Sequence, residues 1–254
     1  MKKGMVVLLC ALFAFTAFAS NEAGTWATTT PTISSDNPAS INGAPAQERF
    51  GELDDANVLL IRDAMGWSNA NEEILIMLAP NNVTYDIINS SSLPATDLSL
   101  YDLVVTEGGQ SATFNQNILD IMAQIETFVS NGGWLQFSMA TNSHAPRLTL
   151  WDGTTYIEGL DQNNYMGPDG AGHPLQDGVA EPYEGNYASH GTFTVYPGGA
   201  SVIVVDTAGD PTVIEYAYGN GNVIVWTMPL EFSYTNGYSS GPILYNAFVY
   251  TTGD

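Results

Sequence analysis

The sequence predicts an open, doubly wound α/β domain, in which a mostly parallel sheet carries helices on both faces. Two observations support this fold class. Between residues 57 and 137, short apolar runs alternate with helical patterns, which is typical of a parallel sheet. From 192 to 227, β-rich segments follow one another with only short turns between them. We therefore expect an antiparallel excursion in the second half.

The first half contains the segments that predict the parallel strands. Residues 58–61 form an unbroken apolar run, as expected for a strand that is covered on both faces. A helix is predicted over 69–78, which opens with a polar cap and early glutamates. Two further strands are predicted over 83–88 and 103–105.

A second helix and a fourth strand complete this half. Residues 116–129 carry apolar side chains at steps of three and four, which is the period of a helix with one buried face. The helix is expected to end at Asn131-Gly132-Gly133, a typical C-terminal signal. Residues 134–137 then form the fourth predicted strand.

The second half has a different composition. Proline, glycine, asparagine and aspartate dominate 141–191, a stretch too long for a plain connection and expected to hold short strands and binding loops. Later strands are predicted over 192–196, 201–205, 212–218 and 222–227, and the last two form a hairpin. A closing helix is expected over 241–250.

The first 19 residues are predicted to be a cleavable secretory signal. Lys2 and Lys3 precede an apolar run of about a dozen residues, shorter than the about 20 that span a bilayer. Small residues at Ala17 and Ala19 fit a cleavage site. A membrane anchor that stays attached is the alternative. We expect a secreted protein, at the cell surface or outside the cell, without a membrane contact after cleavage.

The next segment, 20–55, is rich in Thr, Ser, Asn, Pro and Ala, and is predicted to be a linker or a loosely docked arm. The alternative is a strand that pairs with a neighbouring molecule, so self-association through this arm is one hypothesis. Pro31 interrupts the β-branched run that would form such a strand. The α/β domain itself is expected over 56–254.

The charge of the chain excludes several partners. The sequence has five basic and 27 acidic residues and a net charge of −22. Both lysines lie in the predicted signal, so the mature chain keeps three arginines as its only Lys or Arg side chains. Nucleic acid and anionic lipid are therefore not expected as partners, because binding phosphates requires Lys and Arg. The single cysteine, Cys10, also lies in the signal, which excludes disulfides and thiolate chemistry from the mature chain.

Three motifs follow one another along the chain: FVSNGG before the fourth strand, then GHPLQDGV, and then YGNGNV before a late strand. Together they resemble the class I glutamine amidotransferase-like superfamily, with its flavodoxin-like layering, and within it the secreted, ThuA-like relatives. The resemblance covers roughly residues 56–251 and implies the same α/β fold.

The catalytic residues of that family are not matched. Its enzymes use a cysteine after the strand that is here 134–137, and a His-Pro-Glu after a late strand. This chain has Ser138 at the first position and Met228-Pro229-Leu230-Glu231 at the second. The resemblance therefore argues against amidotransferase chemistry, and it leaves open whether the chain has another enzymatic activity.

A ligand site is predicted where the strands end. In an open α/β sheet, ligands bind beyond the carboxyl ends of the strands. The residues expected there are Asp63, Trp67, Glu107, Gln110, Ser138, His144 and His190. An aromatic ring beside carboxylates and amides suits a carbohydrate, because the ring stacks on a sugar face. The alternative is structural: Trp67 packs over the sheet edge, and Asp63 caps the following helix.

Two further sites are alternatives. Ser138, with His190 or His144 as base and Glu231 as the acid, would form a hydrolase site, although the G-x-S-x-G turn is missing. The acidic loop 161–172 would hold a structural calcium through Asp161 and Asp169, because calcium prefers oxygen ligands. A solvated loop without metal is the default expectation there, and no other cofactor is expected.

Three functions remain open from the sequence. The first is a non-catalytic module for ligand binding or surface display, which recognises a glycan or another surface polymer. The second is a hydrolase that acts on a sugar derivative. The third is a structural subunit of an extracellular assembly, suggested by the Thr-rich arm.

Overall fold

The computed structural model describes residues 56–68, 76, 83–141 and 146–253. The strands are β1 (Asn57–Ile61), β2 (Thr84–Ile88), β3 (Leu103–Thr106), β4 (Trp134–Ser138), β5 (Thr155–Met166), β6 (Tyr183–Val195), β7 (Ser201–Asp206), β8 (Pro211–Tyr218) and β9 (Gly221–Trp226). The α-helices within these residues are α1 (Ala112–Asp120), α2 (Met122–Ser130), α3 (Leu230–Thr235) and α4 (Pro242–Thr252). Short 3₁₀ helices cover Gly66–Ser68, Ser90–Ala95, Leu98–Leu100 and Pro174–Gln176.

The nine strands of the described residues form one mixed sheet, in the order β2-β1-β3-β4-β9-β8-β7-β5-β6. The strands from β2 to β9 in this order are parallel. From β9 to β6 every neighbouring pair is antiparallel. The predicted fold class, with its antiparallel excursion in the second half, is confirmed.

Two apolar cores lie on opposite faces of the sheet. In β1, Leu59 and Ile61 pack with the apolar residues of α1 and α2 on one face. Val58 and Leu60 point to the other face, where they pack with α4 and Ile76. Because successive side chains of a strand alternate between faces, a strand apolar at every position must be covered on both sides. This explains the unbroken apolar run of β1.

The parallel strands and the closing hairpin occur within a residue or two of their predicted bounds. The helix predicted over 116–129 begins earlier, at Ala112, and breaks at Ile121 (φ −111°, ψ 13°) into α1 and α2. The short strands expected within 141–191 are wrong in length, since β5 has 12 residues and β6 has 13. Helix α3 was not predicted.

Several expectations fall on residues outside those described. These are the signal over 1–19, the arm over 20–55, His144, and the helix over 69–78 except for Ile76, which is helical and buried. Within the described ranges, no helix combines the length and the apolar character needed to cross a membrane.

Candidate functional site

The carboxyl ends of the parallel strands meet at one edge of the sheet. Thr106 is the register partner of both Ile61 and Phe137, and Ser138 is the partner of Trp226. The residues that follow these positions are therefore neighbours in space. This edge is where ligands bind in open α/β folds.

A buried polar cluster centres on Glu107, directly after β3. One carboxylate oxygen accepts a hydrogen bond from Arg62 Nη1 at 2.9 Å, and the other accepts one from the backbone N–H of Gly66 at 2.6 Å. The carboxylate of Glu231, at the start of α3, accepts a hydrogen bond from the backbone N–H of Gly108 at 2.7 Å. Two buried carboxyl groups thus flank the turn after β3.

Burial raises the pKa of the Glu107 carboxyl to about 7. The Arg62 guanidinium and the Gly66 N–H lower this pKa, while the nearby Glu231 carboxylate raises it further. Removing a carboxylate from water favours its neutral form, and here this effect outweighs the ion pair. Glu107 therefore changes its charge near neutral pH.

Two buried polar atoms without a hydrogen-bond partner lie close to Gly108. Ser138 Oγ and Trp67 Nε1 have no hydrogen-bond partner among the described residues. A Cβ atom on Gly108 would lie 2.5 Å from Ser138 Oγ and 3.2 Å from Trp67 Nε1. Glycine at this position lets both polar atoms approach the backbone. Buried polar groups are normally paired, so two unpaired ones side by side indicate a place for a partner.

Three ring side chains form the rim of the site: Trp67, Tyr187 and His190. The rings of Trp67 and His190 have centroids 4.6 Å apart, and the Tyr187 ring lies 6.3 Å from that of His190, edge-on. His190 Nδ1 lies 3.0 Å from the carbonyl oxygen of Thr141, so Nδ1 carries the proton and Nε2 is the accepting nitrogen. Burial lowers the pKa of His190, which keeps the ring neutral near pH 7.

The backbone at this rim is unusual. The non-glycine residues with positive φ in the described chain are Trp67 (54°), Ser68 (68°) and Tyr187 (65°). Side chains other than glycine rarely adopt this conformation, which costs of order 1–3 kcal/mol per residue, and such residues cluster at ligand sites. All three lie at or beside the aromatic rim, although Tyr187 comes from a distant strand.

Asp63 and Gln110 lie near the site but bond within the protein. The carboxylate of Asp63 accepts hydrogen bonds from the N–H and hydroxyl of Ser90. The Gln110 side chain accepts from the N–H groups of Asp63 and Ala64, and donates to the carbonyls of Ala64 and Gly108. These bonds hold the loop after β1 against the turn after β3. Ligand contact by either residue stays a prediction.

The catalytic alternative is not assembled as a hydrogen-bonded set. Ser138 Oγ bonds neither His190 nor Glu231. Acyl transfer also needs backbone N–H groups that are open to a developing oxyanion. The nearby amides of Gly108, Gly109 and Met139 donate instead to Glu231, the Ala140 carbonyl and the Trp226 carbonyl.

The two aspartates suggested for calcium lie apart. Asp161 binds Thr207, beyond the end of β7, whereas Asp169 binds the N–H of Val202 near the start of that strand. Five strand residues separate these positions by about 16 Å, at roughly 3.3 Å per residue. One ion cannot bridge them. Within the described ranges, no three His, Cys, Asp or Glu residues are grouped as metal ligands would be.

Sequence reasoning missed two members of the site. Arg62 directly follows a buried strand in a chain with very few cations, and that position could have identified it. Tyr187 has no local signal, because only the path of β6 brings it to the rim. The role of Glu231 in holding Gly108 also depends on a contact between residues 123 positions apart.

Similar proteins are found both by sequence and by structure. No family model matches the chain. An uncharacterised protein of Clostridium acetobutylicum is 27% identical over 199 residues, which covers 76% of this chain. The chain spans only 20% of that protein's length.

Solved structures extend this comparison. A putative GMP synthase component from Thermoplasma acidophilum matches with a TM-score of 0.52 at 10% identity, over 78% of this chain and 94% of its own. This likeness is consistent with a glutamine amidotransferase-like fold. A cytoplasmic protein of Salmonella typhimurium LT2 has a TM-score of 0.51 at 14% identity, over 77% of this chain and 98% of its own. At such identities the likeness is one of fold, and the function must be argued from the site.

Proposed function

We propose that this chain is a secreted, non-catalytic module that binds a neutral carbohydrate at the carboxyl edge of its sheet. The observation that carries the proposal is the pair of unpaired buried polar atoms, Ser138 Oγ and Trp67 Nε1, that lie close to Gly108 beside an aromatic rim. A sugar needs this combination, because its hydroxyl groups take hydrogen bonds while its ring face packs on an aromatic side chain.

A neutral ligand fits the charges around the site. Glu107 and Glu231 accept hydrogen bonds from the backbone N–H groups of Gly66 and Gly108 beside the site, and Arg62 is paired with Glu107. The other arginine of the described chain, Arg147, lies over the Tyr156 ring at 5.6 Å. Phosphate and sulfate esters or acidic sugars would meet carboxylates rather than free cations, so we expect them to bind poorly.

We favour binding over catalysis because the groups around Ser138 are not arranged to activate its hydroxyl or to stabilise an oxyanion. Its hydroxyl has no hydrogen-bonded base, and the backbone amides of Gly108, Gly109 and Met139 donate hydrogen bonds within the protein. Nucleophilic catalysis requires both. Export is proposed from the N-terminal residues alone. N-terminal sequencing of the protein released from the producing cells should begin at Ser20.

The test is binding of neutral oligosaccharides of glucose, galactose, mannose and N-acetylglucosamine, measured by calorimetry at pH 8. Trp67→Ala should abolish measurable binding. Ser138→Ala should weaken it about two- to tenfold, since one hydrogen bond contributes roughly 0.5–1.5 kcal/mol.

A matched pair of tyrosines supplies the control. Tyr187 and Tyr165 are 39% and 37% exposed, but only Tyr187 lies at the rim. Asparagine is the suitable replacement because it tolerates the positive φ of Tyr187. Tyr187→Asn should weaken binding and Tyr165→Asn should not. Absence of binding to every oligosaccharide, or equal loss in both variants, would contradict the proposal.

A further inference from the structure

The exposed apolar side chains of the described chain are concentrated on its outer strand pair. Nine large hydrophobic side chains are exposed there and elsewhere in the described residues, and six of them lie on β5 and β6: Ile157, Leu160, Tyr165, Met166, Tyr187 and Val195. Single exposed apolar residues are normal on a protein surface, whereas a group of them marks an interaction site. The strand pair that brings Tyr187 and His190 to the rim therefore carries an apolar surface of its own.

The register of the two strands shows that Ile157 shares a face with His190. In β6, Thr192 and His190 are two positions apart, so their side chains lie on the same face. Ile157 of β5 pairs with Thr192. Residues that pair across two strands lie on the same face. Ile157 is thus on the face of His190, displaced along the strand by roughly 7 Å.

Leu160 lies closer to His190, at a bulge in β5. The pairs on either side of the bulge are Glu158 with Gly191 and Asp161 with Ser189. Between these pairs β5 has two residues, Gly159 and Leu160, whereas β6 has only His190. Both flanking pairs lie on the other face of the strands by the same alternation, so the bulge faces the side of His190. Leu160 is therefore a cross-strand neighbour of a rim residue.

This part of the face is apolar and carries no charge. Ile157 is 51% exposed and Leu160 is 60% exposed. The carboxylates of the same stretch, Glu158 and Asp161, belong to the other face of β5. Aliphatic side chains form no hydrogen bonds with sugar hydroxyl groups, and a polar group buried against them loses its bonds to water. An alkyl, acyl or aryl group suits this surface, because it gains free energy on leaving water.

We propose that the ligand is a carbohydrate that carries an apolar substituent, with the sugar at the Trp67 rim and the substituent over Leu160 and Ile157. This inference rests on the proposed function and narrows its ligand class. Hydrogen bonds to sugar hydroxyl groups replace bonds to water and contribute little net affinity. The apolar substituent supplies affinity that the sugar alone lacks.

The experiment compares methyl and hexyl glycosides of glucose, galactose, mannose and N-acetylglucosamine by calorimetry with the full-length protein. The hexyl glycoside of the bound sugar should bind about tenfold more tightly than its methyl glycoside, because burial of two methylene groups gives about that factor. Leu160→Gln and Ile157→Thr should each reduce this preference. Both variants should leave the affinity for the methyl glycoside unchanged, which shows that the rim is intact.

Leu100→Gln is the matched control. Leu100 is 66% exposed, but it precedes β3 and lies at the amino edge of the parallel strands, away from the rim. This variant should change neither affinity. Equal affinity for the two glycosides, a preference that survives in both test variants, or a preference that is lost in Leu100→Gln would overturn the inference.

The outcomes also separate this inference from the proposed function. Binding of a methyl glycoside without a preference for the hexyl glycoside would keep the carbohydrate site and reject the apolar substituent. Binding of all hexyl glycosides regardless of the sugar, without binding of any methyl glycoside, would reject the carbohydrate site and leave only the apolar surface. Absence of binding to every glycoside would reject both.

Discussion

Burial of Glu107 should impose a specific pH dependence on the stability of the fold. The pKa of this carboxyl is about 7 in the folded chain, against an ordinary value of 4.5. Between these two pH values the folded state binds more protons than the unfolded state. The free energy of unfolding therefore falls as pH rises through this window, and the loss is complete above about pH 7.

The magnitude follows from the size of the shift. About 2.5 pH units, at roughly 1.36 kcal/mol each, correspond to about 3 kcal/mol. In Glu107→Gln this contribution is absent at every pH. The variant also leaves Arg62 without its charged neighbour, but Arg62 does not titrate in this range, so that cost is a constant offset. The stability of the variant relative to the parent should thus rise by about 3 kcal/mol from pH 4.5 to pH 8.

Urea unfolding at several pH values, followed by circular dichroism, measures this difference. Glu158→Gln is the control, because its carboxylate is exposed and its removal should leave the pH dependence parallel to that of the parent. Parallel curves for the parent and Glu107→Gln would show that the buried carboxyl is not held protonated by the fold, and would refute the reasoning.

Two further predictions concern packing and charge. In thermal unfolding, Gly221→Ala should lower the free energy of unfolding by about 2–3 kcal/mol. A Cβ there would lie 2.2 Å from the backbone oxygens of Val129 and Gly133, which cannot rotate away. Gly198→Ala is the control and should be neutral, because no heavy atom lies within 4 Å of a Cβ at that position. The melting temperature should rise with sodium chloride, since a net charge of −22 is self-repulsive and salt screens it. Calcium at matched ionic strength should add nothing, because Asp161 and Asp169 lie too far apart to share an ion. A larger rise with calcium than with sodium would contradict this.

The elements predicted well are those whose signals are local. The apolar runs of β1, β3 and β4 identify buried strands, because a strand covered on both faces has no polar side. Asn131-Gly132-Gly133 ends α2 as expected, and the turn before Gly221 joins β8 and β9 as an antiparallel hairpin. The break at Ile121 has no such signal, since nothing in the residues around it disfavours a continuous helix.

The long strands β5 and β6 were missed for a related reason. Their pairing contains register shifts near Thr155, Glu158 and Asp161, which disturb the alternation of polar and apolar residues. Much of β5 is also exposed, so burial leaves little pattern in its sequence. Only pairing with distant segments stabilises these strands, and such pairing is not visible in a local window.

The sequence by itself determined the architecture of the parallel half and the edge at which a site would form. Both follow from apolar periodicity and from the alternation of strands and helices, which are visible over short stretches of chain. It also placed Ser138, Trp67 and Glu107 after the ends of strands. The tertiary structure decided what those residues face. His190 reaches Trp67 because β6 returns past the end of β9, and Glu231 reaches Gly108 across 123 residues. The charge state of Glu107 depends on the burial that these distant contacts produce, so it could not be read from its neighbours in the chain.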